Sequence, residues 1–296
     1  MNAAGAAALS LHAFFIQPFV EFGFMRRALV ACAALALSCG PVGTLLVLRR
    51  MSLVGDAMAH ALLPGAALAF IFAGLSLTAM SLGAFVAALT VALLAGGVAR
   101  WTRQREDASF AAFTLIALAA GVMLVSTHGS SVDLMRLLFG SVLAVDDGAL
   151  LLVAGVSSLS LAVLAVVWRP LVLASFDPGF LRQVSGGKPW NAGVHNVFLL
   201  LVVANLVAGF QALGTLMAVG LLMLPAIAAR CWVQDVARIA ALASALALVS
   251  GYGGLLLSYH AGLPTGPAIV LLAGAIYLLS LAVGRADSLR SNRSIA

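Results

Sequence analysis

Long apolar stretches and short polar ones alternate along the whole chain. Each apolar stretch is close to the roughly 20 residues that an α-helix needs to cross the hydrocarbon core of a bilayer. Because backbone groups in lipid must be hydrogen-bonded within their own segment, these stretches are predicted to be helices. The predicted spans cover residues 28–48, 54–73, 80–99, 109–127, 149–168, 193–210, 212–230, 236–257 and 266–284. The pattern therefore predicts an all-α, polytopic membrane helix bundle with about eight to ten transmembrane helices.

Composition supports this class of protein. Of the 296 residues, 63% are hydrophobic and 9% are charged, whereas a soluble domain carries roughly 25% charged residues. No polar stretch is long enough for a separate soluble domain, so residues 1–296 are predicted to form a single transmembrane domain, with residues 287–296 as a short basic cytoplasmic tail. The formal net charge of +6 comes from short basic clusters between apolar runs, which indicate cytoplasmic loops and not a nucleic-acid surface.

These basic clusters orient the predicted spans. Cytoplasmic loops carry an excess of Lys and Arg, so the following segments are placed inside: 49–50, 100–105, 169–188, 230–238 and the C-terminal tail. Arg26 and Arg27 conflict with this count, because the count places them outside. Residues 8–25 are therefore expected to form either a further span or an interfacial helix.

The opposite face of the predicted bundle carries carboxylates where the inner face carries basic residues. One predicted outer loop contains His128, Asp133, Asp146 and Asp147, and Arg136 is the one basic residue among them. A second predicted outer loop contains His260. An acidic mouth would concentrate cations through its electric field. For any one of these residues, an ordinary solvated loop side chain is the simpler interpretation.

Asp56 is the acidic residue that enters a predicted span and has an ionisable partner there. His60 follows four residues later, so both side chains lie on one face of a helix. A carboxylate in a span costs roughly 2.5–3.5 kcal/mol on insertion scales and usually faces a bundle interior or a water-filled path. Carboxylate oxygen and imidazole nitrogen are suitable ligands for a divalent first-row metal. A structural Asp–His hydrogen bond between packed helices is the alternative.

Two prolines lie within predicted spans near the expected path. Pro64 has no N–H group and cannot bond the carbonyl of His60, which predicts a helix break and a free carbonyl beside the pair. Pro225 occupies a related position in the segment 221–230, and a second break is expected there.

Five blocks of the sequence together resemble the permease subunits of zinc, manganese and iron ABC importers. The blocks are LLVLRRMSLVGDAMAHALLPGAALAF, LMRLLFGSVLAV, SFDPGFLRQVSG, GFQALGTLMAVGLLMLPAIAAR and SYHAGLPTGPAIVLL. The resemblance runs in order through about residues 25–285.

The resemblance implies a transmembrane homodimer in the bacterial cytoplasmic membrane, coupled to ATP-hydrolysing subunits. It also implies an extracytoplasmic metal-binding protein that delivers the ion. Asp56 and His60 occupy the positions of the family's ion-path residues, and His260 and His128 are possible outer contributors. Gly262 departs from the family, which usually has an acidic residue there. No permanently bound cofactor is expected, because the divalent metal ion is the cargo.

Residues 175–187 are too polar and too rich in glycine to continue a span. Asp177 and Pro178 suit the first turn of a helix, and the paired glycines at 186–187 suit its end. A short amphipathic helix is therefore predicted, which either fits a groove of the ATPase or lies on lipid. The residues predicted to couple to the ATPase are Ser175, Phe176, Asp177, Pro178, Phe180, Leu181 and Arg182.

The sequence does not contain GxxxxGK, so the chain lacks the phosphate-binding loop of a P-loop ATPase. We therefore predict a non-enzymatic permease for a divalent transition metal, with zinc and manganese preferred, that is driven by a separate ATPase. A stand-alone secondary metal carrier is the alternative. Such a carrier usually needs more buried charge than a single acid. An intramembrane metalloprotease is disfavoured, because the sequence around Asp56 does not match HExxH.

Overall fold

The computed structural model describes residues 14–74, 76–102, 105–128, 146–177 and 190–286, and the regular elements in these ranges are α-helices. This confirms the all-α prediction. In chain order they are α1 (Gln17–Glu21), α2 (Gly23–Leu48), α3 (Ser52–Ala73), α4 (Leu77–Trp101), α5 (Glu106–His128), α6 (Asp147–Phe176), α7 (Trp190–Leu213), α8 (Thr215–Arg230), α9 (Val236–Ala261) and α10 (Thr265–Val283).

Helices α2 to α10 correspond one to one to the nine predicted apolar segments. Eight of them are long and apolar enough to cross a membrane. The exception is α8, whose 16 residues span about 24 Å at 1.5 Å per residue. Gly214 has a φ of 91° and lets the chain turn directly from α7 into α8.

Within the described residues, the segment before α2 does not form a further membrane span, because it contains the short helix α1. Helix α1 ends at Glu21, and the backbone of the next residue, Phe22, is extended (φ −108°, ψ 115°). The charge of Arg27 is met by Asp147, with 3.5 Å between Nη1 and Oδ1. This ion pair joins the start of α2 to the start of α6. The orientation derived from the basic loops placed Arg27 at the outer end of the bundle. The ion pair with Asp147 explains how a basic residue is accommodated there.

The bundle is organised around α2, α7 and α8, whose residues are mostly buried. Helix α2 packs against α6, α8 and α9, and α10 packs against α8 and α9. Helix α3 packs mainly against α4 and α5, with smaller contacts to α7 and α8. The side chains that fill the centre include Leu35, Leu46, Met58, Phe198 and Met217. In the first turns of α3, the face with Leu53, Asp56 and His60 is not covered by this chain, whereas residues 61–67 are buried.

Helix α6 extends eight residues past residue 168, the predicted end of its span. Its 30 residues reach about 45 Å, longer than the roughly 30 Å hydrocarbon core. The prediction was wrong at this end because the basic residue Arg169 was assigned to a cytoplasmic loop, whereas it lies within the helix. The helix continues, and Ser175 and Phe176 belong to its last turn and not to a loop.

Candidate metal site and cytoplasmic contacts

Asp56 and His60 lie side by side in the first half of α3. Oδ1 of Asp56 is 3.8 Å from Nε2 of His60, which is within ion-pair reach but beyond hydrogen-bond distance. The side chain of Asp56 is 62% exposed and that of His60 is 41% exposed. The intervening Ala57, Met58 and Ala59 are buried. The pair therefore points away from the helices of its own chain.

Helix α5 supports α3 from behind the pair. The hydroxyl of Thr114 donates a hydrogen bond to the carbonyl of Ala57 at 3.4 Å. Further along, Gly121 lies against Pro64, where an added Cβ would be 3.2 Å from the proline Cδ. These contacts fix the buried side of α3 and leave Asp56 and His60 on its open side.

The two prolines do not break their helices. Pro64 lies inside the continuous helix Ser52–Ala73, and Pro225 lies inside Thr215–Arg230. Both prolines are buried. The prediction of a break was wrong because a proline removes one backbone bond, whereas packing by neighbouring helices keeps the remaining turns in place.

One chain supplies two side-chain ligands at this position. Among the described residues, no group of three or more His, Cys, Asp or Glu side chains is arranged to hold a metal ion. The three cysteines are buried. A cation beside Asp56 and His60 would therefore need further ligands from water or from another chain.

His260 is engaged elsewhere. Its ring stacks on that of Phe14 with centroids 4.0 Å apart, and its Nε2 is 3.1 Å from the Phe14 carbonyl oxygen. Gly262 closes α9 with a left-handed backbone (φ 62°), a conformation that favours glycine. The side chain of His128 lies outside the described part of the structure. His260 thus anchors the N-terminal segment and does not join the Asp56–His60 pair.

The outer carboxylates that the structure describes have local partners. Asp146 caps α6, because its Oδ1 accepts a hydrogen bond of 2.7 Å from the N–H of Ala149, and Asp147 pairs with Arg27. Asp133 lies outside the described residues. Part of the negative charge expected at the outer mouth is therefore balanced by a cation of the same chain, because Asp147 pairs with Arg27.

The predicted coupling segment is described only at its start. Phe176 is 65% exposed. Asp177 follows the last residue of α6, and its N–H donates to the carbonyl of Leu173 at 2.9 Å. It thus stands at the end of α6, and the helix that was predicted to start here lies outside the described residues. The remaining predicted residues, Pro178, Phe180, Leu181 and Arg182, lie outside the described ranges.

Sequence reasoning used Arg49 only to orient the spans and missed its contacts. Nε of Arg49 donates to the Ser175 hydroxyl at 3.1 Å, and Nη2 donates to the Leu171 carbonyl at 3.3 Å. The guanidinium also lies 4.3 Å from the centroid of the Phe198 ring. The available signal was a basic residue seven positions before Asp56, but its partners are more than a hundred residues away in the sequence.

Comparison with known proteins places this arrangement in a family. The model of the ABC 3 transport family matches residues 21–284. The manganese import system permease protein ScaB of Streptococcus gordonii is 33% identical over 270 residues, covering 90% of this chain and 93% of that protein. A Haemophilus influenzae protein named "Probable iron transport system membrane protein" is 30% identical over 266 residues, covering 90% of this chain and 96% of that protein.

A solved structure has the same fold. The structure of PsaBC from Streptococcus pneumoniae in complex with Fab superposes with a TM-score of 0.80 at 30% identity, covering 96% of this chain and 99% of that chain. Sequence and fold agree over nearly the whole length. The chain therefore belongs to the ABC 3 transport family and is a multi-pass, non-catalytic permease subunit of a bacterial ABC import system.

Proposed function

We propose that this permease imports a divalent transition-metal ion, with manganese as the preferred cargo, and that Asp56 and His60 form a transient site on its path. The observation that carries the proposal is the exposure of both side chains on an otherwise apolar helix. An ionisable pair in a membrane span faces a protein interior or water and not lipid. The open side of α3 must therefore be covered in the assembled transporter.

A second copy of the chain is the proposed cover. Two copies related by a two-fold axis would present the same patch to each other. The two pairs would then supply two carboxylates and two imidazoles around one path. This set meets the need for more ligands than one chain contains, and water would complete the coordination.

The ligands, carboxylate oxygen and imidazole nitrogen, support a transition-metal ion that does not prefer thiolate ligands. Oxygen and nitrogen donors suit manganese, iron and zinc, whereas selection among these metals depends on geometry and availability. The Streptococcus gordonii relative is named for manganese import and the Haemophilus influenzae relative for iron transport. Manganese is therefore the first ion to test, and iron and zinc are the competitors.

Transport in this proposal depends on two partners. A separate ATPase subunit hydrolyses ATP and contacts the cytoplasmic segment at residues 175–182, and an extracytoplasmic binding protein delivers the ion. The chain lies in the bacterial cytoplasmic membrane. The exposed Phe176 at the end of α6 supports the position of the ATPase contact.

Manganese uptake by Asp56→Asn and His60→Ala variants tests the site. We expect each variant to insert and assemble but to lose most uptake, because each removes one ligand type. Ser158→Ala is the matched control, since Ser158 is also an exposed polar residue in a span and bonds the carbonyl of Gly155 in its own helix. Normal uptake by both site variants would refute the proposal.

Cysteine cross-linking tests the ATPase contact. A cysteine at position 180 should cross-link to the ATPase, and Phe180→Asp and Asp177→Ala should uncouple uptake from ATP hydrolysis or release the ATPase. Metal binding at Asp56 and His60 should persist in both variants. Absence of a cross-link in an intact, active complex would move the contact to another loop, and residues 230–238 are the next candidate.

A further inference from the structure

The side chain of Arg49 ties together helices from three parts of the bundle. Arg49 follows the last residue of α2. Its two hydrogen bonds reach Ser175 and the Leu171 carbonyl in the last turns of α6, and its guanidinium covers Phe198 near the start of α7. The segment between α6 and α7 contains the proposed ATPase contact. Arg49 therefore holds both helices that flank this contact.

The surroundings of Arg49 make these bonds strong. Burial lowers the pKa of its guanidinium to about 10, and the charge of Glu106 at the start of α5 opposes this shift. The group therefore remains a cation at neutral pH. Hydrogen bonds from a charged donor are roughly twice as strong as neutral ones, and a cation over an aromatic face adds further attraction.

A tight turn connects Arg49 to the helix that carries the candidate metal site. Arg50 has a left-handed backbone (φ 56°) and its N–H bonds the carbonyl of Val47 at 3.1 Å, while the N–H of Met51 bonds the carbonyl of Leu46 at 3.0 Å. These are the two bonds of a Schellman helix end. Met51 is 4% exposed. The end of α2 and the start of α3 are therefore held in one fixed arrangement.

We propose that Arg49 is a positioning residue that transmits movement of the α6–α7 flanks to the Asp56–His60 pair. Asp56 follows the turn by five residues, so a displacement of the turn moves the first half of α3. The inference rests on the proposed function, because it assumes that the α6–α7 segment contacts the ATPase. Coupling between distant sites requires a physical element that both sites bias, and the Arg49 contacts supply one.

The number of manganese ions imported per ATP hydrolysed distinguishes transmission from simple stabilisation. The permease is reconstituted into vesicles with its ATPase subunit and delivery protein, and Mn²⁺ uptake and ATP hydrolysis are measured together. For Arg49→Ala we expect this ratio to fall about tenfold, the size expected from losing a hydrogen bond to a charged group, while hydrolysis stays near wild type. A residue that only stabilises the fold would lower both rates in proportion.

Three further variants sharpen the test. Arg49→Lys keeps the charge but loses the planar fork, and it should restore part of the ratio. Ser175→Ala should lower the ratio less than Arg49→Ala, and the double variant should be no worse than Arg49→Ala alone. Arg169→Ala removes the same charge from an exposed residue of α6 outside the turn and should leave the ratio unchanged.

Asp56→Asn in the same vesicles separates the two proposals. If it abolishes uptake while Arg49→Ala keeps a normal ratio, the transmission role is refuted and the proposed metal site stands. If Asp56→Asn transports normally, the metal site fails regardless of the Arg49 result. Proportional loss of uptake and hydrolysis in both Arg49→Ala and Ser175→Ala would also overturn the transmission role.

Discussion

Gly65 of α3 and Gly83 of α4 face each other so closely that a methyl group on Gly83 would lie 2.5 Å from the carbonyl oxygen of Gly65. The same methyl group would lie 2.8 Å from Cβ of Ala69. Small residues at such crossings let helix backbones approach within a membrane. This contact holds α4 against the helix that carries Asp56 and His60.

Gly83→Ala is expected to destabilise the permease by about 1–3 kcal/mol, the usual cost of overpacking a core. Thermal unfolding in detergent, followed by labelling of the three buried cysteines, measures the change. Gly97→Ala is the control on the same helix, because Gly97 has open space around it. Equal unfolding temperatures for Gly83→Ala and Gly97→Ala would contradict the close contact.

Gly214→Ala should destabilise the α7–α8 connection. The φ of 91° at Gly214 is unfavourable for a residue with a Cβ, so the cost should be about 1 kcal/mol or more. The same labelling assay measures the effect. Gly155→Ala is the control, since Gly155 lies within α6 and an added Cβ meets nothing within 4 Å. A loss of stability as large in Gly155→Ala would rule out this explanation.

Asp146→Ala should lower stability by about 1 kcal/mol, because it removes the N-cap of α6. Asp146→Asn should retain most of the stability, since an asparagine oxygen caps equally well. Comparing uptake in the two variants also tests the acidic-mouth hypothesis. If uptake depends on the charge, Asp146→Asn will be as impaired as Asp146→Ala; if it depends on the cap, only Asp146→Ala will be impaired.

Removing the ring of His260 should loosen the N-terminal segment without affecting manganese binding. In His260→Ala the stack on Phe14 and the contact to its carbonyl are lost, so amide hydrogen exchange of residues 14–21 should accelerate. Tyr252→Phe should have a smaller effect of the same kind, because it loses one hydrogen bond of 2.8 Å to the Phe15 carbonyl.

Manganese affinity distinguishes the role proposed for His260 from the role proposed for His60. It should be unchanged in His260→Ala and reduced in His60→Ala, measured on the same purified transporter. A loss of affinity in His260→Ala comparable to that in His60→Ala would show that His260 belongs to a metal site after all.

The sequence by itself determined the helical class and the positions of the helices. Apolar length is a local property, and a backbone in lipid must bond within its own segment, so all nine apolar segments became helices. The four-residue spacing of Asp56 and His60 likewise determined that they share one helix face. Both conclusions depend only on neighbours along the chain.

The tertiary structure decided which way that face points and which residues contact it. Met58 is buried and Asp56 is exposed because α5 and its neighbours cover one side of the first turns of α3 and leave the other side open there. His260 lies on Phe14, 246 residues away, and α6 continues past Pro170 into turns that bond Arg49, 122 residues from Leu171. Such contacts arise from packing between distant segments, and no local pattern encodes them.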